Sequence, residues 1–217
     1  GWHVPTGSNI SVPTPTTLWQ VVQPDAQLTP GTPVTLQWSN GEGLTFTRTF
    51  AIDENYMFTI TQAVTNSTGT DVTLHPYGIV ARRGEPDSQR FWISFEGLFG
   101  YLNGSRRDVG YNRLRDDGAE EFSSSNGWLG ITDKYWMTVL IPEQGSEFNT
   151  RFTVRNPETD NERFQAAYVG SGETVPAGSS TEVETHFFAG AKVVSLIDQY
   201  RDEIGIQRFD LSMDWGW

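Results

Sequence analysis

The sequence predicts an all-β fold, an antiparallel sandwich closed by one C-terminal helix. Three observations lead there. Between residues 34 and 189, short runs of alternating apolar and polar residues recur at spacings of about 8–12 residues, separated by turn-forming clusters. Only one stretch, residues 191–203, carries a good helical period: Val193, Leu196, Ile197 and Tyr200 step by three and four. Eight Trp, thirteen Phe and seven Tyr supply the bulk for a large core.

Residues 1–33 are rich in proline and hold no Lys or Arg. They read as an extended lead-in crossing a surface, with one short apolar run at 18–22. A start on Gly1-Trp2 suggests a cut inside a larger domain. A strand follows at 34–38, and Asn40-Gly41-Glu42-Gly43 marks a hairpin turn. Strands are expected at 44–52, with Leu44, Phe46, Phe50 and Ile52 on one face, and at 56–64. After the turn Asn66-Ser67-Thr68-Gly69 another comes at 72–81. Together they read as a meander with one buried face. An aromatic strand pair is expected at 91–99. Charge and glycine dominate 103–121, which reads as a mobile excursion or polar edge. Runs at 127–131 and 135–141 flank Asp133-Lys134. The second, YWMTVLI, is apolar on both faces and belongs at the sandwich centre. Strands at 152–155, 164–169 and 182–188 complete the set.

The helix ends at Gly205, a residue suited to positive φ. Asp202 and Glu203 in its last turn have the wrong sign for the helix dipole, so the helix must lean on packing. Beyond it, Phe209, Leu211, Met213 and Trp215 alternate with Asp210, Ser212 and Asp214, as in an extended segment with one apolar side. The chain stops on Trp217 with no polar tail, which again reads as a cut.

Composition narrows function. There are 27 acidic and 15 basic side chains, a formal charge of −12, which argues against nucleic acid or an anionic membrane surface as the main partner. No cysteine means no disulfide scaffold and no thiolate metal site. No apolar run is long enough to span a bilayer. His3, His75 and His186 are scattered without metal-ligand spacing, so no metal, cofactor or catalytic residue is assigned, and each is expected to be structural. The adjacent carboxylates Asp116-Asp117 and Glu120-Glu121 point in different directions and read as solvated. Asn9, Asn66 and Asn103 fit the short glycosylation pattern. Trp38, Trp92, Trp128 and Trp136 lie in apolar strand context and are expected in the core.

Four segments together resemble the large periplasmic domain of the YidC-type membrane protein insertases of Gram-negative bacteria, in alphaproteobacterial wording. They are NGEGLTFTRTF at 40–50, SNGWLGITDKYWMTVLIP at 125–142, FFAGAK at 187–192 and FDLSMDWGW at 209–217. The last is the most specific. Members of that family carry a similar aspartate–aromatic–glycine–tryptophan string where the domain re-enters the membrane. The resemblance covers about residues 33–217 and departs in lacking further strands before Gly1. It implies a β-supersandwich of two large antiparallel sheets over residues 34–189, with residues 190–217 as a C-terminal helix and membrane-proximal segment. It also implies a non-enzymatic periplasmic domain of a multi-pass inner-membrane protein. The partners implied are its own transmembrane insertase core, Sec translocon components and nascent membrane proteins, and the isolated domain is expected to be monomeric. The same fold occurs in aldose mutarotases, so a sugar-binding or epimerase-like sandwich is the alternative. A groove capturing unfolded segments is a third reading. Site residues follow from both lines of reasoning. Phe209, Leu211, Met213, Trp215 and Trp217 are expected at the membrane interface, because Trp settles in the headgroup layer. Val193, Leu196, Ile197 and Tyr200 are expected to pack the helix on the sandwich.

Overall fold

Among the described residues, fifteen strands and two α-helices follow one another. They are β1 (Trp2–His3), β2 (Gln20–Val21), β3 (Val34–Ser39), β4 (Leu44–Ile52), β5 (Met57–Asn66), β6 (Val72–Arg83), β7 (Gly97–Leu102), β8 (Ser105–Val109), α1 (Tyr111–Asp117), β9 (Ala119–Ser124), β10 (Gly127–Thr132), β11 (Trp136–Ile141), β12 (Phe148–Arg155), β13 (Arg163–Gly170), β14 (Glu173–Val175), β15 (Ser180–Ala191) and α2 (Val194–Ile204). A 3-10 turn, Phe209–Ser212, comes last. The computed structural model describes residues 1–86 and 94–213. Trp92, Trp215 and Trp217 lie outside the described residues, as do residues 91–93 of the strand expected over 91–99; the described remainder is strand only from Gly97, in β7, which corrects that start.

The strands form two antiparallel sheets, as the all-β reading expects. One has six strands, ordered β1-β6-β13-β12-β9 with β14 also on β6; the other has nine, ordered β2-β3-β4-β5-β15-β11-β10-β7-β8. β3, β4 and β5 are the expected meander: Phe46 faces Trp38 on one side and Val64 on the other. β6 is not its continuation, which corrects that part of the sequence reading. It belongs to the six-stranded sheet. Asn66 makes the crossing. Its side-chain amide donates to the carbonyls of Thr70 and Val175, at 2.9 Å each, and its oxygen accepts from the Thr68 N–H and hydroxyl. The turn is therefore tied to β14, not closed as a hairpin. Asn66 is fully buried, so its glycosylation motif is inaccessible in the fold.

The chain divides into two compact units, Gly1–Tyr77 with Val169–His186, and Gly78–Tyr168 with Phe187–Trp217. Each draws its core from both sheets. In the first, Trp2, Leu74 and Val175 of the six-stranded sheet meet Leu44, Phe46, Val64 and Val183 of the nine-stranded sheet. In the second, Phe148, Phe152 and Phe164 meet Leu98, Leu102, Leu129 and Leu140.

Residues 103–121 form β8, α1 and the start of β9; β8 and β9 are edge strands of the two sheets, so of the two expectations the polar edge holds and the excursion does not. Val109, Tyr111 and Leu114 are its anchors, each buried in the second core. The surrounding charges are paired. Arg115 clamps Glu162 through two hydrogen bonds of 2.8 and 2.7 Å, Arg113 pairs with Glu120, and Arg151 pairs with Glu121. Glu120 is thus largely covered, where the sequence suggested a solvated carboxylate, while Glu121 stays at the surface as expected.

Candidate functional site

The C-terminal segment docks on the second unit through aromatic contacts. β15 ends at Ala191 and the helix begins later than its periodicity suggests, at Val194. Val193 holds the N-cap position with extended backbone and is 46% exposed, so it is not part of the packed stripe. Leu196 is half-buried, and Ile197 and Tyr200 are buried. Gly205 closes the helix in the left-handed conformation, at φ 78°. The Tyr200 ring packs edge-on to Phe188 at 5.9 Å.

After Gly205 the chain does not run extended. It folds into the 3-10 turn, and Ile206, Phe209 and Ser212 are buried, at the three-residue step of that helix. Phe209 is wholly buried between Trp128, 5.9 Å away, and Phe188, 6.3 Å away. The Trp128 Nε1–H donates to the Gln207 carbonyl at 3.2 Å. Arg106 reaches the Met213 carbonyl at 3.3 Å. Leu211 and Met213 are half-buried. The alternation read over residues 209–213 is therefore replaced by a period of three. The step from Ile206 to Phe209 was the available signal.

Beside this segment lies the β10–β11 hairpin tip. The Asp133 N–H donates to the Trp136 carbonyl at 2.8 Å, closing the turn. The Lys134 N–H donates to Glu96 at 3.1 Å. The Lys192 N–H donates to the Tyr135 carbonyl at 2.9 Å, tying the tip to the end of β15. Tyr135 and Trp136 are 63% and 61% exposed. This corrects the core assignment of Trp136, which is the first residue of β11, beside the turn. Trp128 is fully buried as expected, and Trp38 packs partly buried against the first core. Next to Trp136 is an open depression of ≈ 340 Å³ whose rim includes Arg82, Asp133, Thr138, Ala189 and Gly190. Arg82 and Asp133 are paired with each other. Burial pushes the neighbouring Tyr111 phenol well above its usual range, against the pull of Arg82.

The three histidines all belong to the first unit. His3 and His75 face each other across β1 and β6, a pairing that spacing along the chain does not reveal. His75 Nδ1 lies 3.1 Å from the Gly170 carbonyl. Among the described residues no group of three or more His, Cys, Asp or Glu side chains is placed to hold a metal. Burial holds His186 below its ordinary value, more than nearby Glu184 raises it.

A family model described as the YidC periplasmic domain matches residues 1–217. Proteins named membrane protein insertase YidC from Nitrobacter hamburgensis and Dinoroseobacter shibae are 40% and 43% identical to the chain. Each match covers 100% of this chain and 37% of the relative, so the chain spans little more than a third of those proteins. Among solved structures, a galactose mutarotase related enzyme from Lactobacillus acidophilus matches with a TM-score of 0.57 at 10% identity, covering 81% of this chain and 73% of that one. The galactosidase domain of an alpha-galactosidase–sucrose kinase matches with a TM-score of 0.51 at 10% identity, covering 84% of this chain and 28% of that one. These two show likeness of fold alone.

Proposed function

The chain belongs to the YidC periplasmic domain family, and from that premise we propose that it is a non-enzymatic domain at the periplasmic face of the inner membrane. There it serves an insertase core that receives nascent membrane proteins, alone or with Sec translocon components. The observation that carries this reading is the whole-chain family match to relatives named membrane protein insertases. A non-enzymatic role fits the depression beside Trp136, where the charged pair Arg82–Asp133 is already closed on itself.

Within that role, residues 191–217 act as a rigid joint between the sandwich and the membrane core. The burial of Ile197, Tyr200, Ile206 and Phe209 supports this, because a segment so anchored transmits orientation and does not swivel. Phe209 contributes to the anchor from inside the domain. Membrane contact is proposed for Leu211, Met213, Trp215 and Trp217. Complementation with the full-length insertase tests it. Deleting residues 191–217 should abolish insertion, while removing most of the preceding sandwich should be far better tolerated. Full insertion activity without 191–217 refutes the joint.

A further inference from the structure

We propose that the margin of the nine-stranded sheet at Trp19, Val21, Leu36 and Arg48 is a docking surface for a polypeptide segment that presents a carboxylate beside an apolar side chain. The surface lies in the first unit and the joint in the second, so the inference goes beyond the joint and does not depend on it.

Register puts these side chains on one face. Val21 pairs with Leu36, Leu36 with Arg48, and Arg48 with Gln62, in a single row across β2, β3, β4 and β5. Directly opposed residues of an antiparallel ladder point to the same side of the sheet. Exposure rises along the row. Gln62 is 4% exposed, Arg48 and Leu36 are half-buried, and Val21, on the edge strand, is 53% exposed. Trp19 joins the row from the lead-in, since the Arg48 guanidinium carbon stands 4.8 Å from the centre of its ring.

Charge names the partner. Arg48 is the only Lys or Arg of the first unit, which holds five Asp and Glu in residues 1–77 and three in residues 169–186. Among the described residues its guanidinium makes no ion pair and no hydrogen bond, and it rests on the Trp19 ring. Its cross-strand neighbour does not supply an acceptor either, because Gln62 Oε1 is buried without a hydrogen-bond partner. Burial pushes the guanidinium below its ordinary value, against the pull of Tyr77. A partly covered cation without an anion is costly, and a guanidinium lying over an indole takes a carboxylate at its edge through two parallel hydrogen bonds. Trp and Arg among aliphatic side chains, without Lys, are the composition of a protein interface core. Residues 18–24, LWQVVQP, carry no charge at all. The acids elsewhere on the unit repel an acidic segment, so Arg48 sets where it docks. The formal charge of −12 also disfavours a densely anionic partner, which leaves a segment with one carboxylate among apolar residues as the fit.

The test pans a displayed library of random heptapeptides against the 217-residue chain and measures the enriched peptides, made with blocked ends, by fluorescence anisotropy. Enriched sequences should carry Asp or Glu flanked by Leu, Val, Ile or an aromatic residue. Arg48→Gln should weaken their binding about tenfold, the factor that one charge-assisted pair supplies. Val21→Ser, at an exposed site, should weaken it about fivefold. Changing the peptide's own acid to the amide should cost about tenfold on the wild-type chain and little more on Arg48→Gln. The amide peptide and Val21→Ser leave Arg48 in place, so they read the surface even where Arg48→Gln loosens the fold. No enriched peptide, enriched peptides without an acid, binding indifferent to Arg48→Gln or to Val21→Ser, or self-association of the chain that Val21→Ser abolishes overturns the proposal. Because peptide binding is read on the intact chain and insertion is not measured, failure here is distinct from failure of the joint.

Discussion

Replacing Phe209→Ala removes the side chain on which the C-terminal docking turns. Phe209 is 0% exposed and sits edge-on to Trp128 and Phe188, at 5.9 and 6.3 Å. Truncating a buried Phe costs about 3–5 kcal/mol, made up of lost transfer energy and the cavity left behind. For a chain of this size that is a fall in Tm of roughly 6–20 °C. The loss should also be local first. Without Phe209 the Trp128–Gln207 hydrogen bond loses its packing neighbour, and α2 should open at lower free energy than the sheets. Hydrogen exchange of the α2 amides should therefore accelerate more than that of β10. Trypsin should gain access at Arg201 and Arg208. An unchanged Tm with unchanged exchange in α2 refutes the reasoning, since it would mean that the aromatic cluster does not hold the segment.

Three further outcomes follow from other parts of the fold. Ile197→Ala, which empties a buried site on the same helix, should cost about 2–5 kcal/mol in chemical denaturation. Burial keeps the His186 imidazole below its ordinary 6.5, so below that pH the unfolded chain binds more protons than the native state, and stability falls as pH drops toward the folded value; His186→Gln should flatten that part of a Tm-versus-pH curve. Glu162 is held below its ordinary 4.5 chiefly by hydrogen bonds from Arg115, so its contribution is present above 4.5 and lost as pH falls through the lower folded value; Glu162→Ala should cost about 1.5–3 kcal/mol at neutral pH and much less in acid.

The strands were legible because one face of each is buried, which writes a period of two into the residues. β4, Leu44–Ile52, has the bounds that alternation alone suggests. The family resemblance was legible in short strings such as the one at 125–142. Partner choice was less so. The order of β6 depends on what Asn66 bonds, and its carbonyl partner at Val175 is far along the chain. Residues 103–121 were legible as a polar edge but not as strand and helix, because three apolar anchors, Val109, Tyr111 and Leu114, are outnumbered by charges whose partners lie elsewhere. The exposed hairpin tip was hidden for the opposite reason. Trp136 opens a run whose other members are largely buried, and nothing local distinguishes a ring beside a turn from one inside the sheet. Lys134 and Lys192 become neighbours only through the β15–β11 pairing.

The start of α2 breaks a capping rule. Val193 occupies the N-cap with φ −112° and ψ 115°, its carbonyl accepts from Leu196 and Ile197, and no side chain caps the free N–H groups. Val is among the poorest N-cap residues, and Ser or Asp there would accept from the first-turn amides. The helix has eleven residues and no acidic residue in its first turn, so alone it would be marginal. Val193→Ser should therefore raise stability by about 1 kcal/mol, because the residue is nearly half exposed and little packing is lost. The gain is read as a rise in Tm on thermal denaturation. No gain in stability shows that the first-turn amides are already satisfied and refutes the capping argument.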